Sequence, residues 1–278
     1  PDSSTGRLGL LELRGFDMPP HVDMSLAQQV LLRALIAYFW QTPYAPERLA
    51  RWGTTLHDRF MLRHEVEQDF HDVLAILNDA GYAISPDWYR AQFNFRFPHY
   101  GDLDIKGMHM ALNQALEPWH VLGEEAGAGG TVRYVDSSVE RIEVKVSGMA
   151  PDRYTVTCNG VALPLRQTDV AGEYIAAVRY RAWQPSNCLH PTIGVHAPLT
   201  FDIIDTWHNR ALGGCQYHVM HPGGRNYEGA PINAYEAEGR RLARFMRHGH
   251  STGKVSITTL PPRREHPFMI DLRHVRPT

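Results

Sequence analysis

The predominant spacing of apolar residues changes near the middle of this chain, and that change restricts the fold more than any other feature. Before the flexible stretch Gly127–Gly130, apolar residues recur every three or four positions, as between Val66 and Leu77. After it, Ile142, Val144 and Val146 alternate with charged residues. The first spacing is typical of helices and the second of half-buried strands. We therefore predict an α+β protein with a mostly helical part followed by a β-sandwich.

The second part carries further strand signals. An Asn-Gly pair, Asn159-Gly160, separates two strand-like runs and predicts a hairpin. Six or seven short strands in roughly 100 residues favour an antiparallel β-sandwich. Asn233-x-x-Glu236 is a helix-capping pattern. The expected domains are residues 1–128, a sandwich over 129–228, and a helix to about Met246 with an extended tail over 229–278.

The first part should contain two long helices, a shorter helix between them that begins at Pro43 and Pro46 and runs toward Phe60, and, after the helices, two strands. Ser25 begins a capping box for a helix from about Leu26 to Trp40 that is apolar almost all round, so we expect this helix to be buried. A second helix is expected over residues 65–80, ending at Gly81. Residues 93–97 and 103–112 resemble strands, the latter folded at Lys106-Gly107.

Composition excludes several classes of function. A net charge of -2 over 278 residues gives no basic surface for nucleic acid. No apolar run approaches the roughly 20 residues that span a bilayer, and no signal-peptide pattern begins the chain. Three scattered cysteines do not form a disulfide framework, so we expect a cytoplasmic location. The chain starts without Met and soon enters a strand, which suggests a piece of a longer protein.

The first strand carries the candidate chemistry. Glu12 and Arg14 are two residues apart, so their side chains should share one face, about 7 Å apart by strand rise. Leu11 and Leu13 should then be buried on the opposite face. A carboxylate is a ligand for Mg²⁺, and a guanidinium matches a phosphoryl group. The alternative is an ion pair on a solvated sheet face.

The pattern Glu12-x-Arg14-x-x-Asp17-x-x-Pro20 resembles the strand-and-turn motif of glutamate–cysteine ligases. It is also similar to the Glu-x-Arg-x-Pro-Asp stretch of glutamine synthetases. The resemblance implies that Glu12 ligates a metal bound to ATP and that Arg14 contacts the γ-phosphoryl group of the nucleotide or the substrate carboxylate. It also implies catalytic roles for Arg14 and Asp17.

A longer resemblance covers about Thr5 to His250. It is to a bacterial family of inferred amidoligases, often fused behind a transglutaminase-like domain. The resemblance implies a glutamine-synthetase-like fragment over 1–128, with ATP and Mg²⁺ as cofactors. Beside it, we expect the sandwich to orient a peptide or protein substrate. Most metal-binding carboxylates of such ligases precede the Glu-x-Arg strand, so we expect this chain alone to be inactive. The stretches that carry the likeness are Arg51–Gly53, His57–Met61, Ala115–Glu125, Leu189–Ile193 and His221–Tyr227.

Two other interpretations remain open. The chain could be a non-catalytic binding or scaffold module. It could also be a zinc hydrolase, because histidines crowd the region His190–His221 near Cys215. We expect no zinc site there, because Cys215 and His218 should point to opposite faces of a strand. Glu117 is a candidate lining residue of a substrate pocket, and the arginines between Arg240 and Arg247 are expected on a solvated helix face.

Overall fold

The computed structural model describes residues 13, 15–16, 18–117, 138–184, 191–220, 227–261 and 263–275. Within them the chain is α+β, as predicted, with helices and two sheets. The α-helices are α1 (Val22–Gln41), α2 (Thr55–Arg59), α3 (Arg63–Asp79), α4 (Arg90–Arg96) and α5 (Ala234–Leu242). Short 3₁₀ helices cover Pro86–Tyr89 and Leu272–His274.

Eleven strands are formed by the described residues. They are β1 (His99–Ile105), β2 (Met108–Ala115), β3 (Val139–Ser147), β4 (Tyr154–Cys158), β5 (Val161–Ala162), β6 (Arg166–Gln167), β7 (Glu173–Arg181), β8 (Leu199–Asp205), β9 (Arg210–Tyr217), β10 (Phe245–Met246) and β11 (Met269–Asp271). The first sheet has the order β1-β2-β3-β7-β11, with β6 also on β7. The second has the order β10-β9-β8-β4-β5.

The two sheets share one hydrophobic core. Ile142, Val144 and Val146 of β3 lie in it with residues of the second sheet such as Phe201 and Ile203. The period-two alternation that predicted these strands is therefore confirmed. The sandwich is not wholly antiparallel, because β11 pairs with β7 in parallel.

The first sheet is buried on both faces at β3, at β7 and at the end of β2. Its outer face packs Ala115, Ile175 and Ala177 against Leu62, which lies between α2 and α3. Arg141 and Glu143 of β3 point to this outer face and are each 1% exposed. We expected β3 to be half-buried, with its charged residues in solvent. The difference arises because a segment far earlier in the chain covers that face.

The chain divides into two compact units, which do not coincide with the domains expected from the sequence. One unit comprises residues 1–46 and 71–92, and the other comprises 47–70 and 93–278. The expected boundary at Gly127–Gly130 lies outside the described residues. The hairpin β1–β2, which precedes that boundary, pairs with β3, which follows it. The sandwich therefore includes strands that we expected in the first domain.

In the first unit, α1 is largely exposed, contrary to the expected burial. Met24, Ala27 and Ala34 are its buried residues, whereas Trp40 is 86% exposed. Tyr89 donates a hydrogen bond to the carbonyl of Ala27 at 2.9 Å, so the segment around it covers one stripe of the helix. The helix begins at His21, whose Nδ1 accepts from the backbone N–H of Asp23, and not at the expected cap Ser25. None of the helices in the described ranges is both long and apolar enough to cross a membrane.

Candidate functional site

The residues that the sequence singles out for metal and nucleotide binding, Glu12, Arg14 and Asp17, lie outside the described residues. Whether Glu12 and Arg14 share one face of a strand therefore stays a prediction. Leu11 lies outside the described residues too. Leu13 is 45% exposed, so the burial expected for it is not observed.

The second unit contains a cavity of about 760 Å³ at one end of the first sheet. One wall is the end of β2 with the following residue Glu117, and the start of β3 with Glu140 and Arg141. The antiparallel register places Ala115 opposite Arg141, so these residues arrive at the same edge of the sheet. A second part of the lining comes from the end of α4 and from α5 with the residues that follow it.

Two tyrosines form a buried aromatic base in this cavity. The rings of Tyr100 and Tyr217 stack with their centroids 4.3 Å apart and an interplanar angle of 13°. Burial raises the pKa of Tyr217 to about 12 and raises the pKa of Tyr100 well above its usual value. Both phenols are therefore neutral near pH 7 and act as hydrogen-bonding groups. Tyr100 donates to Oε1 of Gln114, another lining residue, at 3.4 Å.

Glu117 is engaged by two arginines. Its Oε1 accepts from Nε of Arg141 at 3.0 Å, and its Oε2 accepts from Nη2 of Arg179 at 2.9 Å. The Glu117 side chain is 4% exposed. The prediction that Glu117 lines a pocket is confirmed. Both of its carboxylate oxygens, however, already accept hydrogen bonds from the guanidinium groups of Arg141 and Arg179. This carboxylate is therefore a poor ligand for an added metal ion.

Glu140 is the other acidic side chain among the described lining residues, and it differs from Glu117. It is half-buried, and its Oε2 accepts a hydrogen bond from the buried Tyr180 hydroxyl at 2.9 Å. Burial and the neighbouring Glu140 carboxylate both raise the pKa of Tyr180, so this phenol remains a donor. Oε1 of Glu140 has no hydrogen-bond partner in the described part of the chain. Glu140 therefore presents one fixed but available carboxylate oxygen.

The second part of the lining is basic because of arginines in α5 and just after it. The helix begins where the sequence predicts, with Oδ1 of Asn233 accepting from the backbone N–H of Glu236 at 2.9 Å. It ends at Leu242, before the expected Met246. Arg241 and Arg244 line the cavity, which corrects the expected solvated arginine face. Their spacing from Ala237, four and seven residues on, is the sequence signal for one helix side.

Arg241 and Arg244 differ in the hydrogen-bond acceptors that the protein offers to their guanidinium groups. Nη1 of Arg244 donates to the carbonyl of Val219 at 2.7 Å. The nearest carboxylate to Arg241 is that of Glu238 at 3.8 Å, and Nε of Arg241 is buried with no partner among the described residues. Arg96 of α4 also lines the cavity. Since Glu117 neutralises Arg141, the two arginines Arg241 and Arg244 outnumber Glu140, and the cavity suits an anionic ligand.

The histidine-rich region does not bring its described members together as a metal site. His190 and His221 lie outside the described residues. Nδ1 of His196 accepts from the backbone N–H of Arg181 at 3.0 Å. Cys215 is buried in the sandwich core, where burial raises the pKa of its thiol. In the described ranges, three potential ligand atoms converge only at Asp102, Asp104 and His109, on an exposed surface of the first sheet.

Comparison with known proteins identifies the family. No curated protein and no solved structure matches this chain. The model of the family described as "Putative amidoligase enzyme (DUF2126)" matches residues 1–273, nearly the whole sequence. The chain therefore belongs to this amidoligase family.

Proposed function

We propose that this chain is part of an ATP-dependent carboxylate–amine ligase that forms an amide or peptide-type bond. The observation that carries this proposal is the family match over residues 1–273. The basic cavity supports it, because such a reaction needs a site for carboxylate-bearing or phosphate-bearing reactants. ATP-dependent chemistry also agrees with a cytoplasmic location.

The proposed reaction has two steps. A substrate carboxylate oxygen attacks the γ-phosphorus of ATP, so that an acyl phosphate forms and ADP leaves. The nitrogen of an amine then attacks the carbonyl carbon, phosphate leaves, and the nitrogen loses a proton. Such steps depend on positioning and on groups that stabilise the developing charge.

By resemblance, Glu12 would hold Mg²⁺, and Arg14 would face the transferred phosphoryl group, with Asp17 beside them. Mg²⁺ would neutralise charge on the triphosphate. The cavity itself fits the anion and not the metal, because Glu117 is already engaged by Arg141 and Arg179. We propose that segments outside this sequence supply the remaining carboxylates, in an upstream ligase domain. A transglutaminase-like domain would be a further partner in the same protein.

The test uses the full-length protein with MgATP and a panel of amino acids and peptides. Amide formation should release phosphate and give a product with the mass of both substrates less one water. Hydroxylamine in place of the amine should trap the acyl phosphate as a hydroxamate. Release of phosphate without any condensed product, or no ATP turnover with any substrate, would contradict the proposal.

Substitutions at Glu12 and Arg14 test whether these residues take part in the proposed reaction. Glu12→Gln and Arg14→Gln should each lower turnover by about 100-fold or more, since the first removes a ligand of Mg²⁺ and the second removes the charge that faces the transferred phosphoryl group. The matched control is Asp87→Asn, which changes an exposed carboxylate on a 3₁₀ helix of the first unit. Wild-type activity in the Glu12 and Arg14 variants would remove these residues from the proposed site.

The isolated chain should not turn ATP over, because in the ligases that it resembles most metal ligands precede the Glu-x-Arg strand. Titration of the chain with MgATP should show no binding tighter than about 100 µM. A clean micromolar isotherm would contradict this division of the active site.

A further inference from the structure

We infer that the cavity binds a short peptide as a zwitterion, with its carboxylate at Arg241 and Arg244 and its amino group at Glu140. This inference rests on the proposed function, because it names the amine-bearing reactant of that reaction. It follows from the distribution of charge, hydrogen-bond partners and volume within one cavity.

Arg241 is the main binding residue for the C-terminal carboxylate of the peptide. Its Nε is buried without a partner among the described residues, and Glu238 is too distant, at 3.8 Å, for a good hydrogen bond. The Arg241 side chain is 32% exposed, so a carboxylate in the cavity can pair with the terminal nitrogens of its planar guanidinium, which no described carboxylate holds at hydrogen-bond distance. Arg244 adds a second positive charge, with one of its nitrogens held by the carbonyl of Val219.

Glu140 is the binding residue for the N-terminal ammonium group of the peptide. Glu117, the other described acidic residue of the lining, is already neutralised by two arginines. Tyr180 holds one oxygen of Glu140 and leaves Oε1 for a donor. An ammonium group has three donors and no acceptor, so it complements this oxygen.

The space between the two ends favours a peptide over a single amino acid. A volume of about 760 Å³ lies in the upper part of the range for drug-sized ligands. The stacked rings of Tyr100 and Tyr217 and the side chain of Met61 line the same cavity and offer apolar contact to a bound peptide. Nε2 of Gln114 has no hydrogen-bond partner in the described ranges, so it can donate to a peptide carbonyl.

The test measures binding of trialanine to the full-length protein by calorimetry. It uses three forms, namely the free peptide, the N-acetylated peptide and the C-terminal amide. The free peptide should bind, and blocking either end should weaken binding at least about tenfold, since each block removes a charge-assisted hydrogen bond. No binding of the free peptide, or equal affinity for all three forms, would overturn the inference.

Two variants test which side chain binds each end of the peptide. Arg241→Gln should bind the free acid and the amide with a clearly smaller difference in affinity than the wild type does, because only Arg244 remains, whereas Glu140→Gln should bind the free and acetylated peptides equally. The matched controls are Arg247→Gln, an exposed arginine beside Asp102, and Glu67→Gln, which pairs with Arg63 on α3. Both control variants should still bind the free peptide more tightly than the two blocked peptides, as the wild type does. If the control variants lose this preference for the free peptide as the cavity variants do, the assignment of the peptide ends to Arg241 and Glu140 is overturned.

The outcome separates this inference from the proposed function. If the protein forms amide bonds while Arg241→Gln and Glu140→Gln leave the KM of the amine reactant unchanged, the inference fails and the ligase proposal stands. If trialanine binds with the predicted discrimination and no substrate supports ATP turnover, the ligase proposal fails and the peptide site remains. Circular dichroism of each variant establishes that the fold is retained.

Discussion

Nε of Arg141 donates a hydrogen bond to Oε1 of Glu117 at 3.0 Å, and the two side chains are 1% and 4% exposed. The pair lies in the wall of the cavity, at the edge where β2 ends and β3 begins. Nη1 of Arg141 also donates to the carbonyl of His57 at 2.7 Å, which ties α2 to the sheet. The wall that carries Glu140 is therefore fixed by buried polar contacts.

Removal of the Glu117 carboxylate should destabilise the protein strongly. Glu117→Ala leaves the buried guanidinium of Arg141 without its carboxylate, and we expect a loss of about 3 kcal/mol in the free energy of unfolding. Urea denaturation measures this loss. The control Asp87→Ala breaks an exposed pair, whose side chains are 76% and 72% exposed, and should cost less than about 1 kcal/mol. Equal losses would contradict the structural role of Glu117.

His196 should make stability depend on pH. Burial lowers the pKa of His196 below its usual 6.5, and its Nδ1 accepts from the backbone N–H of Arg181. Because the unfolded chain binds this proton more readily, the contribution is present above 6.5 and is lost as the pH falls through the folded pKa. His196→Asn keeps an acceptor that does not titrate. Its unfolding free energy should fall less than that of the wild type between about pH 7.5 and 5.5, and equal slopes would contradict this.

Two glycines should respond to alanine with opposite signs. A Cβ at Gly214 of β9 would overlap the backbone carbonyl of Phe201 on the paired strand β8, so Gly214→Ala should cost more than about 2 kcal/mol. At Gly239 of α5 a Cβ meets nothing within 4 Å among the described atoms. Gly239→Ala should therefore stabilise the protein by about 0.5–1 kcal/mol. Thermal unfolding of both variants checks the pair, and a neutral Gly214→Ala would contradict the packing.

Two of the three cysteines should not react in the folded protein. Cys158 and Cys215 are buried in the sandwich core, and burial raises the pKa of each thiol. Cys188 lies outside the described residues. A thiol reagent should therefore label at most one cysteine in native conditions and three in denaturant. Cys188→Ser should show no native labelling, and rapid labelling of that variant would contradict the buried core.

Local features were predictable where the reason is local. Asn159 and Gly160 have φ values of 49° and 78°, which the Asn-Gly pair accommodates, and they form the predicted β4–β5 hairpin. The fold at Lys106-Gly107 and the Asn233 cap are confirmed for the same reason. In each case the sterics or hydrogen bonds involve residues within a few positions of one another.

The segment around Phe93 shows where local reasoning fails. Its alternating phenylalanines predicted a strand over residues 93–97, whereas the structure has α4 there. Phe93 and Phe97 are four residues apart, so the same spacing also places them on one side of a helix, where their rings stack at 6.5 Å. Phe70, from α3, packs on Phe93 at 5.5 Å. A contact distant in sequence accompanies the helix that the alternation did not predict.

By itself the sequence determined the α+β class, the alternating core of the sandwich and several turns and caps, because these follow from side-chain periodicity and short-range backbone geometry. Only the tertiary structure decided that Arg141 and Glu143 are buried and that Arg241 and Glu117 line the same cavity. Arg241 and Glu117 belong to elements far apart in the chain. Their juxtaposition depends on how the sheet edge and α5 pack, and apolar burial, which drives that packing, is non-directional and leaves no local pattern in the sequence.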